Sequence, residues 1–490
     1  MLWYLITVII YIKDSLQLDN LNNKKEEAQT KFVYTIFRHG ARSPGFHKNK
    51  EFNIDILGHK WNLGEKELTN LGLRQHYILG LSQRERYNNF LGEYLSEGEL
   101  LAYSTDKNRT IQSFKAHFQG LYLSNSNIYK NQTIVSYPPY KVSDNTKNIV
   151  NANGLSSIGK HNTNIIAFHH IQPGDPYLYL SHSDYCTGIS KFKYNNVIAI
   201  DNIKTFYMNN HDKLKNIFGV DYELQSILDY NVTLNDKKNN IFKLIDDVKQ
   251  LYDAVIANYF EENDFKRFFN NKNDLNEFIK EIIKFKTIDM TTAYYDDSNS
   301  FKARVVVSNI LIDILNQIEY RKLHVNSLKE YNNNYPKMII LSGHDTTLSP
   351  FIVVLNYIYN TKIVYIPYAS YLNIQVDYVK LKNNLFKWDV KIIYNDNTIV
   401  HDSLDSFEHN LKKIIIPNDQ ISKFCKLNKY KDHSRKNVTK YIIVTIIGTL
   451  LILNLIVILS LRLIKYIKAN KTTFKKMNIS SNRITEFSKL

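Results

Sequence analysis

The feature that most constrains the fold is an apolar strand that runs directly into a group of basic residues. Residues 31–37, KFVYTIF, are mostly β-branched and aromatic, which is typical of a buried strand. Arg38, His39 and Arg42 follow at once. A solvated basic turn would explain this pattern, and so would a binding site for a doubly charged anion.

A second strand far along the chain also ends in residues suited to catalysis. Residues 337–341, KMIIL, are apolar after the first lysine, and His344 and Asp345 come just after them. Arg109 lies one turn into a helix that follows a third predicted strand, 100–105. Ligands of open α/β sheets bind beyond the carboxyl ends of the strands. We therefore expect these residues to meet Arg38, His39 and Arg42 at one edge of a sheet.

The order of the predicted elements favours an α/β fold with a mainly parallel sheet flanked by helices. Thr69 is a suitable N-cap for one helix, and a second begins after Asp106. Residues 371–379 and 385–394 are predicted as a closing antiparallel pair. From about 138 to 300 the chain is polar, rich in Asn and Lys, and contains long helical patterns, which indicates an inserted, mainly helical subdomain.

The two ends of the chain predict a membrane protein. Residues 1–18 contain a short apolar stretch and are interpreted as a signal peptide. Residues 441–461 carry no charge and are long enough for a transmembrane helix, and 462–490 form a basic tail. Lys and Arg flank this helix on both sides, so charge alone does not orient it. A cleaved signal would make the chain a single-pass type I protein with its main domain luminal or extracellular.

Part of the net charge of +16 comes from the basic residues around that apolar segment. No zinc-finger spacing or basic helix with interleaved aromatics is present in the sequence, so we do not predict nucleic-acid binding. Sequons at Asn131, Asn231 and Asn437 permit glycans in a luminal domain. The sequon at Asn108 adjoins Arg109, and we expect it to be unoccupied.

The residue types after the two strands suit a phosphoryl group. Arginine presents a rigid fork of donors that matches phosphate oxygens two at a time. A histidine among cations stays neutral and is then a good nucleophile. This chemistry needs neither a metal ion nor a cofactor.

The motif RHGARSP, residues 38–44, together with the later GHD, residues 343–345, resembles the histidine acid phosphatase family in its prostatic and lysosomal branch. The resemblance extends over residues 31–425 and implies a membrane-anchored enzyme that hydrolyses phosphate monoesters through a phosphohistidine. It implies that His39 is the nucleophile, that Asp345 donates the proton to the leaving alcohol, and that phosphate is bound by Arg38, Arg42, Arg109 and His344.

The chain has two cysteines, Cys186 and Cys425, which leaves room for one disulfide in an oxidising compartment. The resemblance agrees with this pairing, because both residues lie in stretches where the branch has a long-range bridge.

Two other interpretations stay open from the sequence. A mutase or phytase-type enzyme of the same superfamily would use the same phosphohistidine, and a cell-surface binding protein could retain the scaffold without turnover. A homodimer is also left open.

Overall fold

A seven-stranded mixed sheet organises the part of the chain that the structure describes. The structure is a computed structural model, and the residues it describes are 27–45, 61–122, 169–171, 186–189, 197–218, 240–261, 271–292, 294, 300–327, 330–363, 365–381, 385–426, 458–462, 464–466 and 468. Residues 1–426 form one compact unit and residues 427–490 another.

The strands take the order β3-β2-β4-β1-β5-β6-β7 across the sheet. Their bounds are β1 Glu27–Arg38, β2 Leu100–Thr105, β3 His169–Ile171, β4 Met338–Gly343, β5 Tyr371–Lys380, β6 Phe386–Tyr394 and β7 Asn397–Ser403. The predicted strands at 31–37, 100–105 and 337–341 are confirmed as β1, β2 and β4.

The parallel register brings the two predicted motifs side by side. Arg38, the last residue of β1, is opposite Gly343, the last residue of β4. His39 and His344 are the next residues of two neighbouring parallel strands, and β2 pairs with β4 on its other side. The meeting of distant motifs at one edge of the sheet thus follows from strand pairing.

The prediction of a mainly parallel sheet is wrong for one half of the sheet. β3, β2, β4 and β1 pair in parallel, but β5, β6 and β7 continue the sheet by antiparallel pairing. The predicted β5–β6 hairpin is confirmed, whereas β7 was not foreseen. A tight turn joins β6 to β7, and its two central residues, Asn395 and Asp396, have positive φ values of 46° and 65°. Asn and Asp tolerate this conformation better than other non-glycine residues, which lets the chain reverse without a crossover helix.

The main helices of the described residues flank this sheet or follow its strands. In chain order they are α1 Asn70–Arg86, α2 Asn108–Tyr122, α3 Val197–Phe218, α4 Asn240–Phe260, α5 Lys272–Thr292, α6 Phe301–His324, α7 Asp345–Tyr359, α8 Leu404–Ile414 and α9 Asn418–Phe424. The predicted cap of α1 is confirmed, since the side chain of Thr69 accepts a hydrogen bond from the Gly72 amide.

Helices α3, α4 and α5 lie within the interval predicted as an inserted subdomain. Their apolar side chains share one buried cluster with Ala41, Leu71 and Tyr368. Strand β3 also falls in this interval, yet it pairs with β2 at the edge of the main sheet. The described helical segment therefore starts after β3, and it packs directly against the residues that follow β1.

Cys186, which precedes α3, forms a disulfide with Cys425, directly after α9. The predicted signal peptide at 1–18 and the sequons at Asn131, Asn231 and Asn437 lie outside the described residues. Most of the predicted transmembrane segment, 441–461, and of the tail, 462–490, also lies outside them. Among the described residues, no helix is both long enough and apolar enough to cross a membrane.

Candidate active site

The imidazole of His39 lies at the carboxyl end of the central strand and is almost fully buried. Its Nδ1 is 2.8 Å from the carbonyl oxygen of Gly40. A carbonyl can only accept, so Nδ1 carries the proton and Nε2 has the free lone pair. The ring is also fixed by its neighbours, since its centroid is 5.5 Å from that of His344 and 5.9 Å from that of Tyr368.

Helix α1 holds the backbone on both sides of His39. The Nε2 of His76 is 3.0 Å from the carbonyl oxygen of Arg38, and Gln75 Oε1 accepts the amide of Ala41 at 2.9 Å. The amide of Thr69 donates to the carbonyl oxygen of Ala41 at 3.0 Å. His76 and Gln75 therefore hold the backbone of the loop that carries His39.

Gly40 is needed here because two backbones approach closely. Its amide donates to Ser113 Oγ at 3.1 Å on α2, while a Cβ at this position would overlap the backbone of Gly72 on α1. Among the described glycines, positive φ is found at Gly98 and not at Gly40. Lack of space, and not a positive φ, therefore explains why position 40 is a glycine.

Arg38 is held by three contacts at the bottom of the site. Its Nη1 donates to the carbonyl oxygen of Ile366 at 2.6 Å, its Nη2 is 3.5 Å from an Asp345 carboxylate oxygen, and its guanidinium lies 4.3 Å from the Tyr368 ring centroid. Burial works against its charge, but the nearby Asp345 keeps the pKa of Arg38 above its ordinary value.

Arg42 is fixed by a carboxylate that the sequence analysis did not identify. Asp253 on α4 accepts from Arg42 Nη2 at 2.7 Å and from Nη1 at 3.2 Å, and Arg42 Nη1 also donates to the carbonyl oxygen of Ser43 at 2.8 Å. The amide of Gly45 donates to the same carboxylate at 2.8 Å. Although burial opposes ionisation of Asp253, Arg42 lowers the pKa of this carboxyl, so both partners are charged.

Arg109 and His344 form the third side of the site. Arg109 Nη2 is 3.4 Å from His344 Nδ1, and His344 Nε2 is 2.9 Å from Thr105 Oγ1. Because a guanidinium only donates, this geometry puts the imidazole proton on Nε2, from which it is donated to Thr105. Burial, together with the repulsion from Arg42, lowers the pKa of Arg109 to about 10.

The three arginines share a feature that indicates an anion. Within the described part of the chain, the Nε atoms of Arg38, Arg42 and Arg109 are buried and have no hydrogen-bond partner. A buried charged donor without an acceptor is costly, and such groups are normally paired. An oxyanion such as a phosphoryl group, bound among them, would supply acceptors for all three.

The charge balance around Asp345 also favours an anion. Burial would raise the pKa of Asp345, but Arg38 and then Lys286 outweigh it, so the pKa lies well below its usual range. Lys286, on α5, also acts on Asp253. Arg38, Arg42, Arg109 and Lys286 therefore outnumber the two carboxylates by two charges, which suits a phosphoryl group with one or two negative charges.

The surroundings of His39 keep its imidazole neutral. Burial is the largest cause, and the positive charges of Arg109 and Arg38 come next; together they hold the pKa of His39 well below its ordinary value. A nucleophilic lone pair on Nε2 therefore persists in acid solution.

The structure brings all six predicted site residues together and adds side chains that sequence reasoning missed. Contacts or charge interactions described above link the six residues, which are His39, Asp345, Arg38, Arg42, Arg109 and His344. Asp253 and Lys286 were missed, because they lie in ordinary amphipathic helices of the Asn- and Lys-rich interval, where no motif marks them. Thr105 lies four residues before Arg109 in the stretch STDKNRT, residues 104–110, so its closeness in sequence could have indicated a role.

Comparison with known proteins shows the family to which the chain belongs. A family model described as the histidine phosphatase superfamily (branch 2) matches residues 29–395, which is more than half of the chain. The lysosomal acid phosphatase of Xenopus laevis is 35% identical over 97 residues, covering 20% of this chain and 22% of that protein. The prostatic acid phosphatase of Homo sapiens is 39% identical over 95 residues, covering 19% and 24%. The matched part thus spans about a quarter of the length of these curated relatives.

Solved structures with a similar backbone are more distant in sequence. A phytase of Citrobacter braakii is 14% identical and has a TM-score of 0.47, with 79% of this chain and 98% of that one covered. The multiple inositol polyphosphate phosphatase of Bifidobacterium longum, in complex with inositol hexasulfate, is 14% identical with a TM-score of 0.47, covering 79% and 90%.

Proposed function

Because the chain belongs to branch 2 of the histidine phosphatase superfamily, we propose that it is an acid phosphatase that hydrolyses phosphate monoesters through a phosphohistidine at His39. The observation that carries this proposal is a neutral, buried imidazole whose Nε2 is unprotonated and which lies among three arginines with unpartnered Nε–H groups. One site then contains both a nucleophile, the imidazole, and the groups that stabilise charge, the arginines.

In the first step the lone pair on His39 Nε2 attacks phosphorus, and the bond from phosphorus to the ester oxygen breaks. Arg38, Arg42 and Arg109 stabilise the charge on the phosphoryl oxygens. Asp345 gives its proton to the departing alkoxide, which is otherwise a poor leaving group. The products of this step are the free alcohol and a phosphohistidine.

In the second step water attacks the phosphohistidine and the bond from phosphorus to Nε2 breaks. Asp345, now a carboxylate, takes a proton from the attacking water, so that inorganic phosphate leaves and the site returns to its starting state. His344 stays within reach of Arg109 and helps to stabilise charge on the oxygens.

The proton on Asp345 at the start of the reaction needs an explanation, because the arginines favour its ionised form in the free enzyme. A bound phosphoryl group adds negative charge beside this carboxylate and offsets Arg38. Binding of substrate therefore raises the pKa of Asp345, and acid solution favours the protonated form. This explains why turnover should be fastest in acid.

We place this domain in a luminal or extracellular compartment, tethered by a single membrane-spanning helix at 441–461. The Cys186–Cys425 disulfide supports an oxidising compartment. The uncharged sequence of residues 441–461 supports the tether.

The test is a turnover assay with p-nitrophenyl phosphate at acid pH, using wild-type protein and His39→Ala. We expect wild-type turnover and a loss of at least about 10³-fold in the variant, as for other covalent nucleophiles. Wild-type protein that is folded and inactive on aryl and alkyl phosphates would refute the proposal.

A further inference from the structure

Asp253 connects the helical segment to Arg42 at the proposed phosphate site. It lies on α4, and its carboxylate receives three hydrogen bonds, two from the guanidinium of Arg42 and one from the amide of Gly45. The side chains of Asp253 and Arg42 are 20% and 12% exposed, respectively, so water competes weakly for these contacts. One carboxylate therefore ties together the beginning and the end of the segment 42–45.

The two-point contact determines how Arg42 is oriented. A carboxylate that accepts from both Nη atoms fixes the plane of the guanidinium as well as its position. Although both Nη atoms are engaged, the Nε–H of Arg42 is a buried donor that has no partner in the described residues. Arg42 without Asp253 would retain several rotatable bonds and no fixed orientation for that donor.

The position of α4 is itself set by packing. Leu251, Ala254 and Val255, around Asp253, are buried in the cluster that also contains Ala41 and Tyr368. The helical segment and the residues after β1 thus share a core at the point where Asp253 meets Arg42.

We propose that Asp253 is a positioning residue for phosphate binding, which orients Arg42 and makes the site dependent on the docking of α4. This inference rests on the proposed phosphatase function and deepens it. Asp253 acts through Arg42 and touches no reacting atom.

The opposite expectation follows from charge alone. Asp253 is negative and close to the anion site, so a purely electrostatic role would make its neutralisation strengthen phosphate binding. Positioning makes the same neutralisation weaken phosphate binding, since a disordered fork loses its two-point geometry. The sign of the change separates the two roles.

The experiment compares wild-type protein, Asp253→Asn and Asp246→Asn, an exposed carboxylate on the same helix. The measurements are kcat and KM for p-nitrophenyl phosphate and Ki for inorganic phosphate, with melting temperature as a check of folding. We expect Asp253→Asn to raise KM and Ki about tenfold or more, and Asp246→Asn to change neither.

Asp253→Glu keeps the negative charge but moves it by the length of one methylene. It replaces Asp253→Asn as the test variant if Asp253→Asn does not fold. A smaller rise in Ki, about threefold to tenfold, is expected there. Unchanged or lower Ki in folded Asp253 variants overturns the inference, as does lower total activity with unchanged KM and Ki. If wild-type protein itself shows no turnover, the proposed function fails instead.

Discussion

Two regions surround the anion site, and they are built by different kinds of contact. The loop after β1 is held through its backbone: Arg38, Gly40 and Ala41 are each bound by a side chain of α1 or α2. The wall formed by α4 and α5 reaches the site through side-chain charge instead, with Asp253 and Lys286. The loop fixes the backbone positions of Arg38, His39 and Arg42, whereas the wall pairs with Arg42 and adds charge beside Asp345.

This difference teaches which parts of such a site are visible in a sequence. Backbone contacts demand particular residue types at close spacing, such as Gly40 beside the backbone of Gly72, and they leave a motif. A carboxylate on a helix from a distant segment needs only that one turn of the helix faces the site. It therefore leaves no motif in the sequence.

The largest effect is expected where both regions act on one residue, Asp345. Asp345→Asn should lower the rate of phosphoenzyme formation by about 10²–10⁴-fold on alkyl phosphates, because no acid then protonates the alkoxide. On p-nitrophenyl phosphate, whose leaving group is far more acidic, the loss should stay below about tenfold. Single-turnover rates on the two substrates measure this directly.

Equal losses on both substrates would mean that Asp345 is not the general acid. The substrates act as controls for each other, since any general damage to the site lowers both rates. His344→Ala should behave differently and slow both substrates, because charge stabilisation is needed whichever alcohol leaves.

The support of the loop can be weakened without touching the wall. A Cβ on Gly80, where α1 crosses α2, would overlap the carbonyl oxygen of His117. Gly80→Ala should therefore lower the free energy of unfolding by about 1–3 kcal/mol. Chemical denaturation measures the loss, and folded molecules should keep KM within about threefold. Unchanged stability would contradict the close packing assigned to this crossing.

The smallest effect is expected when the charge of Lys286, in the wall, is removed. Burial raises the pKa of Asp345, while Arg38 and Lys286 lower it, so Lys286→Gln should raise that pKa. The acid form would then persist to higher pH, and the basic limb of the kcat/KM profile on an alkyl phosphate should move upward by up to about one pH unit.

Lys284→Gln, an exposed position on the same helix, is the matched control and should leave the profile in place. A downward shift in Lys286→Gln, or equal shifts in both variants, would show that Lys286 does not act on Asp345.

Much of the framework could be predicted from local patterns. The strands β1, β2 and β4 have apolar runs that end in charge, and the Thr69 cap precedes a helical pattern, so their positions follow from residues close in sequence. The late antiparallel half was only partly foreseen, because the turn at Asn395 and Asp396 lacks the glycine that usually marks a hairpin.

The site divides in the same way. His39, Arg42 and Asp345 follow strands directly, so the topology of the sheet brings them together. The pairing of Arg42 with Asp253 depends on how α4 packs over Ala41 and Tyr368, which is a property of the three-dimensional core and of no short stretch of sequence.

The most direct test of the central claim is to trap the covalent intermediate. Enzyme mixed with a ³²P-labelled monoester and quenched within milliseconds should carry a phosphoryl group that is stable in base and labile in acid, as a phosphoramidate is. Peptide mapping under basic conditions should locate the label on His39, and His39→Ala should carry none. Label on another residue, or turnover by folded wild-type protein without any labelled intermediate at the shortest times, would contradict the account.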